Sequence, residues 1–297
     1  MADAKTVLQA VRGLLPRFES ALSSFASSAA TFQVLRSLPA PSIVEEAAGV
    51  ARSSAPPRTL YVLDASFNPP TQAHAQMMAA ALREDRGPRP RRLLLLLATQ
   101  NADKATSPAP FAHRLALMTV FASDLLGVLS STAGPTPVVD IGVTKFPFFH
   151  DKARAISESS FYNPDPPPEQ VHLAGYDTLI RILNPKYYPP SHTLAPLSPF
   201  LDRHRLRVYY RPGDEWGGKE DQEEPLRDLA EGRREKDGGR REWASRIDLV
   251  GPMSSNEEGV SSTKIRNAIQ KGDHEALTTL ATKSVADWIL QENLYTA

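Results

Sequence analysis

Apolar residues at Val7, Val11, Leu14, Leu15, Phe18, Leu22 and Phe25 recur at intervals of three and four, the spacing of a helix that buries one stripe. Pro16 falls inside this pattern as a kink or break, so one amphipathic helix or two are expected, packed as a hairpin on the rest of the chain. Ser and Pro residues over 53–57 read as a linker, and a short apolar strand over 59–64 follows. From there strand-like and helical patterns alternate. LYVLD precedes a helix from Thr71, RLLLLLA a helix over 111–129, PVVDIGV a helix over 148–159, and QVHLAG a helix over 177–183. LRVYYR (206–211) and RIDLVG (246–251) extend the series before the C-terminal helices. Such alternation predicts an α/β fold, a Rossmann-like doubly wound parallel sheet, with its ligand crevice at the carboxyl ends of the strands. Residues 1–57 are read as an N-terminal helical extension and linker, and 58–297 as the main domain.

Within that domain, residues 213–242 are dense in charge and glycine and poor in apolar residues. A solvated charged insertion, mobile in part, is expected there. The Pro-rich stretches 164–168 and 189–199 read as extended loops, and no internal repeat is present.

Composition then removes whole classes of function. The 297 residues are 41% hydrophobic, enough for a packed core. Lys plus Arg (34) equals Asp plus Glu (34), so no net field draws the chain to nucleic acid or to an anionic membrane, and any phosphate binding must be local. Protein partners are left open. The longest apolar run, residues 93–98, is too short to span a bilayer. With no cysteine there is no disulfide framework and no thiolate chemistry, which suits an intracellular setting. Arg12, Pro16, Arg17 and Glu19 interrupt any secretory h-region. The Ala/Ser-rich residues 1–38 have some transit-peptide character, which Asp3 and Glu19 oppose, so a cytoplasmic or nuclear location is expected ahead of a mitochondrial one.

Two segments carry the chemistry. DASFNPPTQAHAQMM (64–78) follows the first strand of the main domain, and its two prolines force a tight turn before a helix that Thr71 is placed to cap. The free N–H groups and positive dipole end of that helix form a seat for phosphate, to which His74 in the first turn adds a donor; the alternative is a histidine that only caps or packs. GVSSTKIRNAI (259–269) places Ser261 and Ser262 at a second N-cap, Ile265 and Ile269 on the core face, and Arg266 near the helix start. Hydroxyls of Ser262 and Thr263 with a forked guanidinium suit several phosphate oxygens, against the alternative of an ordinary capped helix with Lys264 and Arg266 in solvent.

SFNPPTQAH resembles the GSFNPxTxxH segment of the eukaryotic nicotinamide-mononucleotide adenylyltransferases, their form of the HxGH signature, and SSTKIR resembles their ISSTxIR signature. The two lie in order and roughly 190 residues apart. Between them AGYDTL (174–179) is similar to the family's G-x-D after the fourth strand, and NADK followed by His113 and Arg114 to its lysine loop and the helix after it. With GYDTLIRILNPKYY the chain looks most like the fungal branch described as filamentation-promoting proteins, over roughly residues 58–292.

The resemblance implies a nucleotidyltransferase domain that joins ATP to nicotinamide mononucleotide, forming NAD and pyrophosphate. Its catalytic residues would be His74 on the ATP phosphates, Lys104 on the mononucleotide phosphate and Arg266 on the β and γ phosphates. Ser66 and Phe67 would offer backbone contacts to phosphate, with Asn68 and Thr71 in the same substrate-binding turn. Gly175 and Asp177 would contact ribose, and Ser262 and Thr263 would share the ATP phosphates with Arg266. Mg²⁺ would be carried chiefly by the ATP phosphates, with no dedicated protein ligands.

Three departures stand out. Ala65 replaces the family's first glycine, where a methyl group crowds close backbone approach. Thr71 stands where other HxGH proteins have a histidine. The tryptophan pattern that stacks nicotinamide is missing, and KFPFFHDKA (145–153) occupies the comparable place, offering Phe146 or Phe148. Three other readings remain: an adenylyl- or cytidylyltransferase with another acceptor, a nucleotide-binding interaction module with little turnover, and an ATPase, which the absence of GxxxxGK disfavours.

Overall fold

The computed structural model of the chain describes residues 4–39, 56–84, 87–100, 109–130, 137–162, 165–211, 216–251 and 260–296. Seven strands form one sheet: β1 (Phe32–Leu38), β2 (Thr59–Asp64), β3 (Arg91–Ala98), β4 (Val138–Thr144), β5 (Glu169–Gly175), β6 (Arg205–Tyr209) and β7 (Ile247–Val250). Their spatial order is β1-β4-β3-β2-β5-β6-β7. Strands β2 to β7 run parallel, as the strand–helix alternation predicts. The order reverses between β2 and β5, which opens a crevice beyond their carboxyl ends.

The leucine run of β3 shows why the sheet is buried on both faces. Leu93, Leu95 and Leu97 join one apolar cluster, and Leu94 and Leu96 join another on the opposite side. Two covered faces demand a continuous apolar run rather than alternation. Among the described residues the helices of seven residues or more are α1 (Ala4–Arg12), α2 (Leu15–Ser27), α3 (Gln72–Glu84), α4 (Phe111–Ser130), α5 (Phe149–Glu158), α6 (Tyr176–Ile182), α7 (Lys219–Ala230), α8 (Ser262–Lys271), α9 (His274–Leu280) and α10 (Lys283–Gln291). Helix α4 is long and apolar enough to cross a membrane by length and composition, yet 72% of its apolar window is buried inside the protein. It is the core helix against which α1, α2 and α10 pack.

Pro16 lies in the first turn of α2 and separates two helices, but the rest of the N-terminal segment departs from the expected helical extension. Residues 32–38 form β1, an antiparallel edge strand on β4. A register shift between Val34 and Arg36 breaks its alternation, and its partner lies more than a hundred positions onward, so no local pattern reveals it. Position 57 therefore does not separate an appendage from the sheet.

The charged stretch also differs from expectation. Residues 219–230 form an amphipathic helix, with Gln222 and Leu229 buried and the charges facing outward. Leu229 and Trp243 join Leu206, Val208 and Ile247 in a second core. Few apolar residues suffice because they share one face. Residues 189–199 are likewise compact: Leu194 and Leu197 enter the same core, and the Leu194 N–H bonds Asp237 O at 2.7 Å.

Candidate active site

At the β2–β5 reversal lies a cleft of about 490 Å³, lined by residues from both sequence signatures. Ala65, Ser66, Thr71 and His74 arrive from β2, Gly175 and Asp177 from β5, and Ser262, Thr263 and Arg266 from α8.

The turn over 66–70 is shaped by Phe67, which takes φ 45° and is fully buried, its ring 5.6 Å from that of His74. Beyond it Thr71 precedes α3. The Thr71 N–H donates to His74 Nδ1 at 3.0 Å, and the His74 N–H to Thr71 Oγ1 at 3.4 Å. This is a capping box with histidine in the place usually held by Glu or Gln. An Nδ1 that accepts leaves the proton of the neutral ring on Nε2. Burial, with the positive charge of Arg211 second, pushes the imidazole down to about 4. His74 thus both caps its helix and brings a neutral N–H donor to the cleft.

The second signature is bonded to the first. Ser261 is the N-cap of α8, its hydroxyl accepting from the Lys264 N–H at 3.2 Å. Ile265 is buried, with Ile269 packed beside it. One turn later Arg266 Nη1 donates to Asn68 O at 2.7 Å and Nη2 to Thr263 Oγ1 at 3.0 Å. Ser262 Oγ donates to Pro69 O at 2.8 Å, joining positions 193 apart. Arg114, a buried residue in the first turn of α4, holds the same turn by donating from Nε to Ser66 O at 2.7 Å.

Gly175 ends β5, and a Cβ there would come within 2.7 Å of Asp177 Oδ1. Glycine leaves room for that carboxylate, which takes a salt bridge from Arg211 at 2.8 Å. Asp64, at the end of β2, is paired with Lys152, both nearly buried.

Of the two phenylalanines proposed to stack nicotinamide, Phe148 lines the cleft and Phe146 does not. Phe148 stacks on His150, with centroids 6.0 Å apart, and faces Tyr188 at 6.4 Å. Phe146 packs instead against the cluster of Phe32 and Tyr162. Phe67 and Asn68 also stay out of the cleft lining and shape the turn beneath it. Lys104 lies outside the described residues.

Sequence reading missed Arg211 and Tyr210, which line the cleft from the end of β6, and Tyr188. For the first two a signal existed: LRVYYR ends on them, and carboxyl ends of strands are where such sheets bind ligands. Among the described residues no group of three His, Cys, Asp or Glu is placed to hold a metal ion.

No family model matches the chain. A Schizosaccharomyces pombe protein assigned as a nicotinamide mononucleotide adenylyltransferase is 33% identical over 232 residues, covering 78% of this chain and 84% of that protein. Among solved structures, Plasmodium falciparum nicotinic acid mononucleotide adenylyltransferase complexed with NaAD aligns over 80% of this chain and 97% of its own, at 13% identity and a TM-score of 0.49. The same Plasmodium enzyme complexed with APC aligns over the same shares at a TM-score of 0.47. On the identity and coverage of the fission-yeast relative, the chain belongs to the nicotinamide mononucleotide adenylyltransferase family.

Proposed function

We propose that the chain transfers the adenylyl group of ATP to nicotinamide mononucleotide, forming NAD and releasing pyrophosphate. The observation that carries this reading is the direct bonding of two phosphate-binding signatures, Arg266 to Asn68 O and Ser262 to Pro69 O, at the sheet's crossover cleft.

The chemistry asks little of the protein beyond position and charge. A mononucleotide phosphate oxygen is already ionised at neutral pH. It attacks the α-phosphorus of ATP, the bond to the bridging oxygen breaks, and pyrophosphate leaves. No general base is required, which suits a histidine that stays neutral at pH 7. His74 Nε2–H would donate to charge that develops on the phosphates, and Arg266, Ser262 and Thr263 would hold the β and γ groups. Ser66 and the turn N–H groups would bind phosphate and Gly175 and Asp177 the ribose, while the role of Lys104 on the acceptor phosphate rests on the sequence alone. Phe148, with Tyr188 opposite, is the place for the pyridine ring. ATP would enter as its Mg²⁺ complex, the ion supplying charge neutralisation on the phosphates, while Asp64 and Asp177 are each paired with a cation of the chain.

Pyrophosphate release from MgATP tests the reading, with nicotinamide mononucleotide, nicotinate mononucleotide and no acceptor as arms and CTP as the alternative donor. Release that depends on a pyridine mononucleotide is expected. ATP binding without release under every condition would leave a binding module in which Ala65 has replaced a needed glycine.

A further inference from the structure

Tyr295 Oη donates to Asn68 Oδ1 at 2.8 Å. It reaches that atom from the turn after α10, and it is not part of the cleft lining. Both residues are buried. Tyr295 takes φ of 68°, in the left-handed region that bulky side chains avoid, and Asn293 before it takes φ of 49°, which asparagine adopts more readily. Strain of this kind persists only where the surroundings over-determine it. Here the bend returns the chain to the nucleotide turn, with the Leu294 N–H on Ile289 O at 3.0 Å and the Tyr295 ring in the main core. A continuous path results: Tyr295 holds the Asn68 side chain, and the Asn68 carbonyl holds Arg266, which faces the cleft.

We propose that Tyr295 is a positioning residue for ATP. By fixing Asn68 it sets the direction of the carbonyl that anchors Arg266, and so the placement of the guanidinium on the phosphates. Packing alone asks only for the ring; the path through Asn68 asks for the hydroxyl. The inference rests on the assignment of Arg266 to ATP made above.

The test is Tyr295→Phe in the full chain, with MgATP affinity by calorimetry, KM for both substrates and Tm, binding being measured well below each Tm. Loss of one buried hydrogen bond should weaken ATP about three- to tenfold, while KM for the mononucleotide shifts less than about twofold. The double variant Tyr295→Phe/Arg266→Ala should bind ATP no more weakly than Arg266→Ala alone, since both changes act through one contact. Unchanged ATP affinity, equal weakening of both substrates, or additive losses in the double variant would overturn the proposal. A parent chain that binds ATP yet releases no pyrophosphate sinks the adenylyl-transfer reading, and the ATP arm still decides Tyr295. A parent that binds no ATP overturns both.

Discussion

Arg211 Nη2 lies 2.8 Å from Asp177 Oδ1, so the acid after β5 and the base after β6 neutralise each other inside the cleft. The same guanidinium is the second cause, after burial, of the low basicity of His74. Arg211→Ala should therefore raise the His74 pKa, read from its ring proton signals in an NMR titration. It should also weaken ATP by about tenfold, as Asp177 loses its orienting partner. An unmoved histidine titration would show that burial alone sets the ring.

Arg266 spans Asn68 O and Thr263 Oγ1 with two nitrogens. An ammonium cannot bridge both at once. Arg266→Lys is expected to lose most of the kcat/KM that Arg266→Ala loses. If lysine restores nearly full activity, the residue acts as a point charge and the fork geometry is irrelevant.

His74 joins a cap and a donor in one ring, so substitutions should separate the two. His74→Ala should lower kcat roughly a hundredfold or more and cost about 1 kcal/mol of stability through the lost capping box. His74→Glu restores the usual residue of that box but turns an anion on the phosphates. Its Tm should stay near the parent's while turnover disappears. A Glu variant that turns over would remove His74 from the chemistry.

Three histidines make the fold acid-sensitive. Burial pushes His74 and His204 down to about 4 and His172 well below its ordinary value. In the unfolded chain these rings take up a proton near pH ~6.5, whereas in the folded state His74 and His204 resist doing so until about 4 and burial holds His172 neutral well below its ordinary value. In that window the unfolded state binds more protons, so stability present above about 6.5 is lost as pH falls toward 4. Tm should be flat near neutrality and fall steeply below it, and His204→Gln should flatten the slope. A Tm insensitive to acid would mean that the rings are solvated.

Gln222 binds Arg211 twice, accepting from its N–H at 2.9 Å and donating to its carbonyl at 2.8 Å. The charged segment is thus a support for a cleft residue rather than a dispensable loop. Replacing residues 216–242 with a flexible linker should lower Tm by several degrees or prevent folding, because it removes Leu229 from the core that it shares with Trp243. Gln222→Leu is the gentler variant and should raise KM for ATP with little change in Tm. A linker variant of parental stability would return the segment to the status of an insertion.

Signals confined to one turn were readable in the sequence: Thr71 and Ser261 as caps, His74 and Arg266 in the first turns of their helices, Gly175 at a strand end. What needed three dimensions was the order of strands. Arg211 meets Asp177 only because β6 lies beside β5. A run such as SFNPP does not declare which residues line a cleft, and here Ser66 does while Phe67 and Asn68 turn inward. The helix over 219–230 was hidden by its own charge, since composition counts apolar residues and not their alignment on one face.

The edge strand β1 has a consequence for the order in which the molecule can assemble. Residues 32–38 are synthesised about a hundred residues before β4, and Leu8, Val11, Phe18 and Phe25 ahead of the helix α4 that covers them. Arg12 finds Glu292 only when nearly the whole chain is available. Non-local contacts of this kind slow folding and leave apolar surface open meanwhile. A growing chain would carry an amphipathic hairpin with its apolar stripe uncovered until α4, which ends at Ser130, has been made.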